Sequence, residues 1–270
     1  MELKTNIDLF KHLAGVDMDI SDAKLARLDT RWCADGICSP FTRIYMMLGG
    51  EAYISDKNEE IKMHGGSIYI VPAYHEFSYR CDASAEKIYF HISLLMTGNF
   101  DALAAVDRFV VIEGCGELIE EMKKMLEDTR ISTALWIKSE LYAIAVKCLK
   151  KAGVTERAPV YSALVKSAFE YVEKNLSASL SVTRLADALF VSQSKLQKAF
   201  KRETGISVGR YIDNCLMLCA ERELRGGGKS ISEISEQLGF CDRFYFSRLF
   251  AARYGYAPSR YRKMVCLSDD

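Results

Sequence analysis

Leu185-Ala-Asp-Ala-Leu-Phe-Val-Ser192 and Ile234-Ser-Glu-Gln-Leu-Gly-Phe-Cys241 are two versions of one short pattern. The first leads into Leu196, Phe200 and Gly205, and the second into Phe246, Phe250 and Gly255, 50 positions later, its turn one residue longer. Each copy predicts a short helix, a turn of three or four residues, and a helix whose buried positions lie four apart. That is the outline of a helix-turn-helix, whose second helix enters a DNA major groove. One such turn is common in all-α proteins; two at fixed spacing are a much narrower signal.

The outward faces of the second helices carry matching chemistry. Burying Leu196, Ala199 and Phe200 leaves Gln193, Ser194, Gln197, Lys198 and Lys201 outside, and burying Phe246, Leu249 and Phe250 leaves Arg243, Phe244, Ser247 and Arg248 outside. Gln bonds adenine bidentately, Arg and Lys suit guanine or phosphate, and an exposed aromatic ring can touch a thymine methyl. Lys201, Arg202 and Arg253 are expected on phosphates, where they supply affinity and salt dependence rather than sequence reading.

Leu185-Ala, Val191-Ser192, Leu196 and Phe200-Lys-Arg-Glu-Thr-Gly205, followed by Ile234-Ser, Leu238-Gly-Phe240, Tyr245-Phe-Ser-Arg248, Phe250, Tyr254-Gly255, Pro258-Ser and Tyr261-Arg262, resemble the AraC/XylS family of bacterial transcription regulators. The resemblance covers about residues 160–265. It implies two helix-turn-helix units joined by a long helix near Ser207–Leu224, reading successive major-groove segments on one side of the DNA. Carried over by position, Ser194, Gln197 and Lys198 read bases in the first unit and Arg243, Phe244, Ser247 and Arg248 in the second. Ala251-Ala252 departs from the basic residues usual in the family, and Phe244 from a polar one.

Outward from this region, punctuation at Asn175, Gly205, Gly226-Gly-Gly228, Gly239 and Gly255 predicts helices over 160–176, 182–189, 193–203, 207–225, 231–238, 242–254 and 258–265. Gly226-Gly-Gly-Lys-Ser230 resembles the end of a phosphate-binding loop but has Glu223 where that loop needs Gly and lacks a preceding strand. Ser230-Ile-Ser-Glu233 fits a capping box instead. Lys150-Lys-Ala-Gly-Val-Thr-Glu-Arg-Ala-Pro159 breaks the periodicity and divides an effector and dimerisation domain, 1–152, from a DNA-binding domain, 160–266. The charge divides with it: residues 1–154 hold 18 Lys+Arg against 23 Asp+Glu, and residues 155–270 hold 18 against 13. A neutral chain split this way has one half suited to an anion.

Between Arg31 and Leu95 the chain reads as short strands: Phe41–Leu48 stopping at Gly49-Gly50, then Glu51–Ile54, Ile61–Met63, Ser67–Val71, Glu76–Tyr79 and Lys87–Leu94. Amphipathic helices over 117–128 and 133–151 follow. The strands predict a small barrel or sandwich, and with the family resemblance the expected fold class is α+β: an N-terminal cupin-like β-barrel with two helices and a C-terminal all-α double helix-turn-helix domain. Gly66-Ser-Ile-Tyr-Ile-Val-Pro72-Ala-Tyr-His75 and Tyr89-Phe-His-Ile92 resemble the effector barrel of the same regulators, which implies that 117–151 pairs two copies as a homodimer. Arg43, Tyr45 and Met47 share one strand face, as do Tyr69 and Val71. Trp32, Arg43, Tyr45, Tyr53, Tyr69, His75 and His91 are the candidates to line an effector pocket.

Other chemistries fare less well. A metal-dependent cupin needs a His-x-His pair with a later acid and His. This chain has four His (His12, His64, His75, His91), no such pair, and Phe77 where the later His would fall, so neither metal nor cofactor is expected. Cys33 and Cys38, with four residues between them, sit at the loose end of zinc spacing and read as small buried thiols. Nine Cys without a regular framework fit reduced thiols in the cytoplasm. No apolar run is long enough for a membrane span, and no secretory signal is visible. An apolar fraction of 49% with 27% charged residues excludes a disordered or fibrous chain. The reading is a sequence-specific regulator of double-stranded promoter DNA, not an enzyme, responding to a small molecule in the barrel. A barrel that only dimerises and a cupin enzyme fused to a DNA-binding domain are the alternatives.

Overall fold

A computed structural model describes residues 15–96, 98, 100–154, 161–254 and 256–266. The chain separates into two compact units, Met1–Thr155 and Glu156–Asp270. Residues 155–159 of the expected boundary, and residue 160 after it, lie outside the described residues.

The first unit is an antiparallel β structure with helices on one side. Its strands are β1 (Asp17–Leu28), β2 (Cys33–Cys38), β3 (Thr42–Ser55), β4 (Glu60–His64), β5 (Ile68–Val71), β6 (Glu76–Arg80), β7 (Ala85–Met96), β8 (Phe100–Asp101) and β9 (Val110–Ile112). One sheet has the order β1-β7-β3-β5-β9, and the other joins β2, β6, β3 and β4. Both contain β3. Residues Thr42–Gly50 pair with β7, and Glu51–Ser55 pair with β4. A stop at Gly49-Gly50 was expected, but the strand continues through a bulge there: its register against β7 shifts between Met47 and Gly49. Gly50 has φ 74°, and a Cβ on it would lie 2.3 Å from the Ser84 carbonyl oxygen. Only glycine fits both the left-handed backbone and the close approach.

The bulge also inverts the in–out alternation. Ahead of it Tyr45 and Met47 face the barrel interior while Ile44 and Met46 face the helices; beyond it Ala52 and Ile54 turn inward. The strand β1 lay outside the expected β region because Asp-Met-Asp-Ile-Ser-Asp-Ala-Lys lacks a clean alternation. It is held by β7, from Asp17 opposite Leu95 to Leu28 opposite Ala85, around an irregularity between Ile20 and Asp22. Two helices, α1 (Gly116–Met125) and α2 (Ile131–Ala152), cover the outer face of the first sheet. Ile119, Met122, Leu141, Ile144, Ala145 and Cys148 pack there on Ile68, Ile70, Phe90 and Ile92.

The second unit is all helical: α3 (Ala163–Lys174), α4 (Val182–Ala188), α5 (Gln193–Thr204), α6 (Val208–Arg225), α7 (Ile231–Gln237), α8 (Arg243–Tyr254) and α9 (Pro258–Cys266). The expected capping box opens α7: Ser230 Oγ accepts from Glu233 N at 3.1 Å, and Glu233 Oε2 from Ser230 N at 2.6 Å. Ser162, Ser181, Ser192 and Ser207 cap α3 to α6 in the same one-sided way, each hydroxyl accepting from an N–H three residues on.

Two outcomes follow. Gly50→Ala sets a side chain in a left-handed backbone, a cost of roughly 1–3 kcal/mol before the collision with Ser84 is counted. Its urea midpoint falls by at least that equivalent; an unchanged midpoint rejects the bulge as a requirement. The second concerns Asp101, whose Oδ1 accepts from Leu103 N (2.9 Å) and Leu94 N (3.2 Å). Its Oδ2 is buried with no hydrogen-bond partner among the described residues. Burial pushes this carboxyl up to about 7. Because the folded state then holds a proton that the unfolded chain has released, stability falls as pH rises from about 4 towards 7. Asp101→Asn flattens that fall in unfolding measured across the window; an unaltered slope rejects it.

Candidate functional sites

The first helix-turn-helix is α4, the turn 189–192 and α5. Leu185, Ala186, Leu196 and Phe200 are its buried anchors. Phe200 meets Phe169 of α3 at 5.5 Å and Tyr211 of α6 at 5.2 Å between ring centroids. With those positions inward, Ser194, Gln197, Lys198, Lys201 and Arg202 are all exposed along α5. Arg202 pairs with Glu203 at 2.9 Å, while Gln193 Nε2 donates to Thr183 Oγ1 across the turn. In the turn, Phe190 takes φ 54° with 95% of its surface exposed. The matching position in the second copy is Gly239, with φ 77°.

The second helix-turn-helix is α7, the turn 238–242 and α8. A Cβ on Gly239 would lie 2.2 Å from Ser177 Oγ, so the turn is pressed against the loop after α3, where Ala178 N donates to the Leu238 carbonyl at 2.7 Å. The Asp242 carboxylate accepts from Phe244 N (2.9 Å) and Tyr245 N (3.1 Å) and opens α8. Phe246, Phe250 and Tyr254 are buried. Arg243, Phe244 and Arg248 are exposed, and Ser247 is half-buried with its hydroxyl donating to the Arg243 carbonyl at 2.8 Å. The Arg243 guanidinium lies 4.8 Å over the Phe244 ring and reaches Ser232 Oγ at 3.4 Å. Arg253 differs from the other basic residues expected on phosphates: it is half-buried, with its Nε sealed from solvent. The four-residue spacing of Phe246, Phe250 and Tyr254 keeps position 253 beside this buried ridge.

In the barrel, the register Arg43↔His91, Tyr45↔Tyr89 and Met47↔Lys87 sets these side chains in one row across β3 and β7. Arg43 Nη1 lies 3.1 Å from His91 Nε2, and Arg43 Nη2 donates to Ser39 Oγ at 2.7 Å. Tyr45 and Tyr69 are buried in the interior cluster, and Tyr69 Oη accepts from His64 N at 3.1 Å. Trp32 stacks on Tyr79 at 4.3 Å and meets Tyr45 edge-on at 6.1 Å. Two expected pocket residues fall outside this row. The bulge turns Tyr53 outward, where the Arg80 guanidinium covers its ring at 4.2 Å. His75 follows β5 and faces a surface cleft of about 680 Å³ shared with Asp56, Glu76, Ser78 and Asp107. Its Nε2 is 2.9 Å from Asp56 Oδ2. Burial opposes ionisation of Asp56, yet N–H groups of Asn58 and Glu59 together with His75 hold that carboxyl below its usual range.

Sequence reasoning missed Lys87. It is 2% exposed, and its ammonium sits 3.4 Å from the Tyr45 ring centroid, 3.9 Å from Trp32 and 5.7 Å from Tyr89. Burial, then the neighbouring Arg43 charge, holds its pKa well below the ordinary lysine value, and the same two causes act on His91. Withdrawing an unpaired ammonium from water costs several kcal/mol, of which desolvated aromatic faces return about 2. Alternation along Lys87-Ile-Tyr-Phe-His91 was the signal that could have found it. Cys33 and Cys38 are exposed rather than buried, because β2 pairs only with β6; Cys81 is buried. Among the described residues no three His, Cys, Asp or Glu gather as metal ligands, and no helix is long and apolar enough to cross a membrane.

The family profile described as "Helix-turn-helix domain" matches residues 185–264. The chain is 24% identical to the Msm operon regulatory protein of Streptococcus mutans over 82% of its length and 84% of that protein. It is 22% identical to the lactose operon transcription activator of Staphylococcus xylosus, over 84% and 85%. Wild-type ToxT from Vibrio cholerae, solved with an unsaturated fatty acid bound, shares the fold over 100% of both chains at TM-score 0.57 and 16% identity.

The Phe190 turn gives a direct check. A bulky side chain in the left-handed region costs roughly 1–2 kcal/mol, and glycine loses up to about 1 kcal/mol more chain entropy on folding. Phe190→Gly therefore raises stability by roughly 0.5–1 kcal/mol in denaturant unfolding, since no packing is lost; destabilisation rejects this reading of the turn.

Proposed function

We propose that this DNA-binding transcription regulator of the AraC type reads two successive major-groove segments of promoter DNA under the control of a small molecule held in its barrel. The observation that carries the proposal is the pair of capped helices, α5 and α8, presenting Ser194, Gln197 and Lys198 and then Arg243, Phe244, Ser247 and Arg248 outward from aromatic anchors. Gln197 and Arg248 are assigned to base edges, where bidentate bonding discriminates between bases. Lys201 and Arg202 are assigned to phosphates; Arg253, half-buried, contributes less.

Residues 160–266 form the DNA-binding domain in this reading and residues 1–152 the sensing and pairing domain. A homodimer through 117–151 is supported by α2, which leaves Ile131 (80%), Leu135 (65%) and Val146 (49%) exposed on an amphipathic helix. Sensing is supported by the inward row of Arg43, Tyr45, Tyr89 and His91 and by the fatty acid held by ToxT. Ligand binding shifts the placement of the two domains and with it the half-sites a dimer reaches together. The names of the relatives describe regulators, in keeping with a role other than catalysis.

Selection of the full chain against random duplexes at several salt concentrations tests the proposal. The expected product is a site with two short elements about 10 base pairs apart. Gln197→Ala and Arg248→Ala each weaken it by about 1–3 kcal/mol and relax one element, while Lys201→Ala lowers the salt slope by about 1 without changing the preferred sequence. Salt-sensitive binding with no sequence preference contradicts the proposal.

A further inference from the structure

The interior of the barrel holds two basic side chains that no carboxylate among the described residues pairs. Besides Lys87, its inner face holds Arg43, whose guanidinium is engaged by His91, Ser39 and the faces of Phe41 (5.0 Å) and Phe77 (5.6 Å). The Nε of Arg43 is buried without a hydrogen-bond partner. The Lys87 ammonium lies against aromatic faces. No carboxylate among the described residues forms an ion pair with either. The carboxylate on the same inner face, Asp22, is already taken up by the Tyr89 hydroxyl at 2.9 Å and by Lys24 at 3.6 Å.

A structural lysine can lie buried when a carboxylate compensates it. Here two cationic side chains stand on adjacent strands, at Arg43 and Lys87, with the half-buried rings of Trp32, Tyr89 and His91 around them. Those three rings keep part of their surface exposed, so the cluster lies towards the edge of the interior. Guanidinium, ammonium and imidazole supply donors, and the neighbouring carboxylate, Asp22, is bonded to Tyr89 and Lys24 rather than to either cation, which leaves a complement to a carboxylate or phosphate group. Flat aromatic walls suit a compact organic body beside that group.

We propose that the barrel takes a small organic anion, with Lys87 and Arg43 holding its carboxylate or phosphate group and Trp32, Tyr45 and Tyr89 packing against the remainder. The inference rests on the reading of the barrel as a sensor and specifies its ligand class. The ammonium that is costly to bury without a counter-charge becomes paired when the anion arrives, so binding tightens the fold around β3 and β7. Lys87 is thereby the principal determinant for charged over neutral ligands.

The test is thermal unfolding of the full chain in rising concentrations of inorganic phosphate, gluconate or uncharged glucose, with potassium chloride at matched ionic strength as the reference. Lys87→Met is the diagnostic variant, because an apolar side chain of similar length suits the aromatic surroundings and keeps the barrel folded. Lys124→Met, on the exposed face of α1, is the control. Phosphate or gluconate is expected to raise the midpoint of the native chain and of Lys124→Met. The apparent affinity falls roughly thirtyfold or more in Lys87→Met, the loss that follows from removing one member of a buried charge pair. Which of the two anions acts distinguishes a phosphate group from a carboxylate. Protection by glucose alone, equal in the native chain and Lys87→Met, overturns the anion assignment and leaves the sensing role standing. Anion shifts equal in all three proteins, or no shift with either anion, overturn it as well.

Discussion

One side of α6 holds the DNA-binding unit together. Val208, Tyr211, Ile212, Cys215, Leu216, Met217, Ala220, Glu221 and Leu224 form a continuous buried stripe along it. At its beginning Tyr211 packs on Phe169 and Phe200, the anchor of α5. Near its end the Met217 carbonyl accepts from the Tyr254 hydroxyl at 3.0 Å, and Glu221 accepts from the Tyr261 hydroxyl at 2.9 Å while pairing with Arg225 at 2.8 Å. Glu221 is 2% exposed, so each partner offsets the cost of burying its charge. Eighteen helical residues span about 27 Å, a rigid spacer of nearly the length of one DNA turn. The separation of α5 and α8 is therefore fixed by packing, and their outward faces carry exposed side chains that bear little structural load.

The barrel applies a different constraint. A single strand, β3, serves both sheets because Gly50 lets it bend, and the same bulge decides which residues face inward. Arg43, Tyr45 and Met47 reach the interior and Tyr53 does not. Since β7 lies alongside, the row continues through Lys87, Tyr89 and His91. Polar chemistry thus runs along one row of a cluster otherwise built of Met47, Met63, Tyr69, Val71 and Phe77.

How much of this was legible follows from the strength of local signals. Helix ends marked by Ser caps and by Gly205 were readable within a residue or two: 193–203 was expected for Gln193–Thr204, and 207–225 for Val208–Arg225. The buried aromatic positions of both units were readable because spacing by four leaves few alternatives. β1 was not, since its identity depends on pairing with β7, some 70 residues away, rather than on its own composition. Nor was the orientation of Tyr53, because a bulge is a property of two strands and Gly49-Gly50 reads equally as a turn. Lys87 was passed over because charge in a strand suggests solvent, although its alternation with Tyr89 and His91 and its register against Met47 set it inside. The exposure of Cys33 and Cys38 likewise depends on β2 having one neighbour.

If α6 fixes the distance between the two reading helices, the DNA must present its two elements at that distance and on one face. The most direct measurement is binding of the full chain to its selected site with five base pairs inserted between the elements, which rotates one to the opposite face. The account predicts that affinity falls to the level of a duplex carrying one element alone. It also predicts that ten inserted base pairs do not restore binding, because a packed helix cannot lengthen. Retained affinity with either insertion would contradict it.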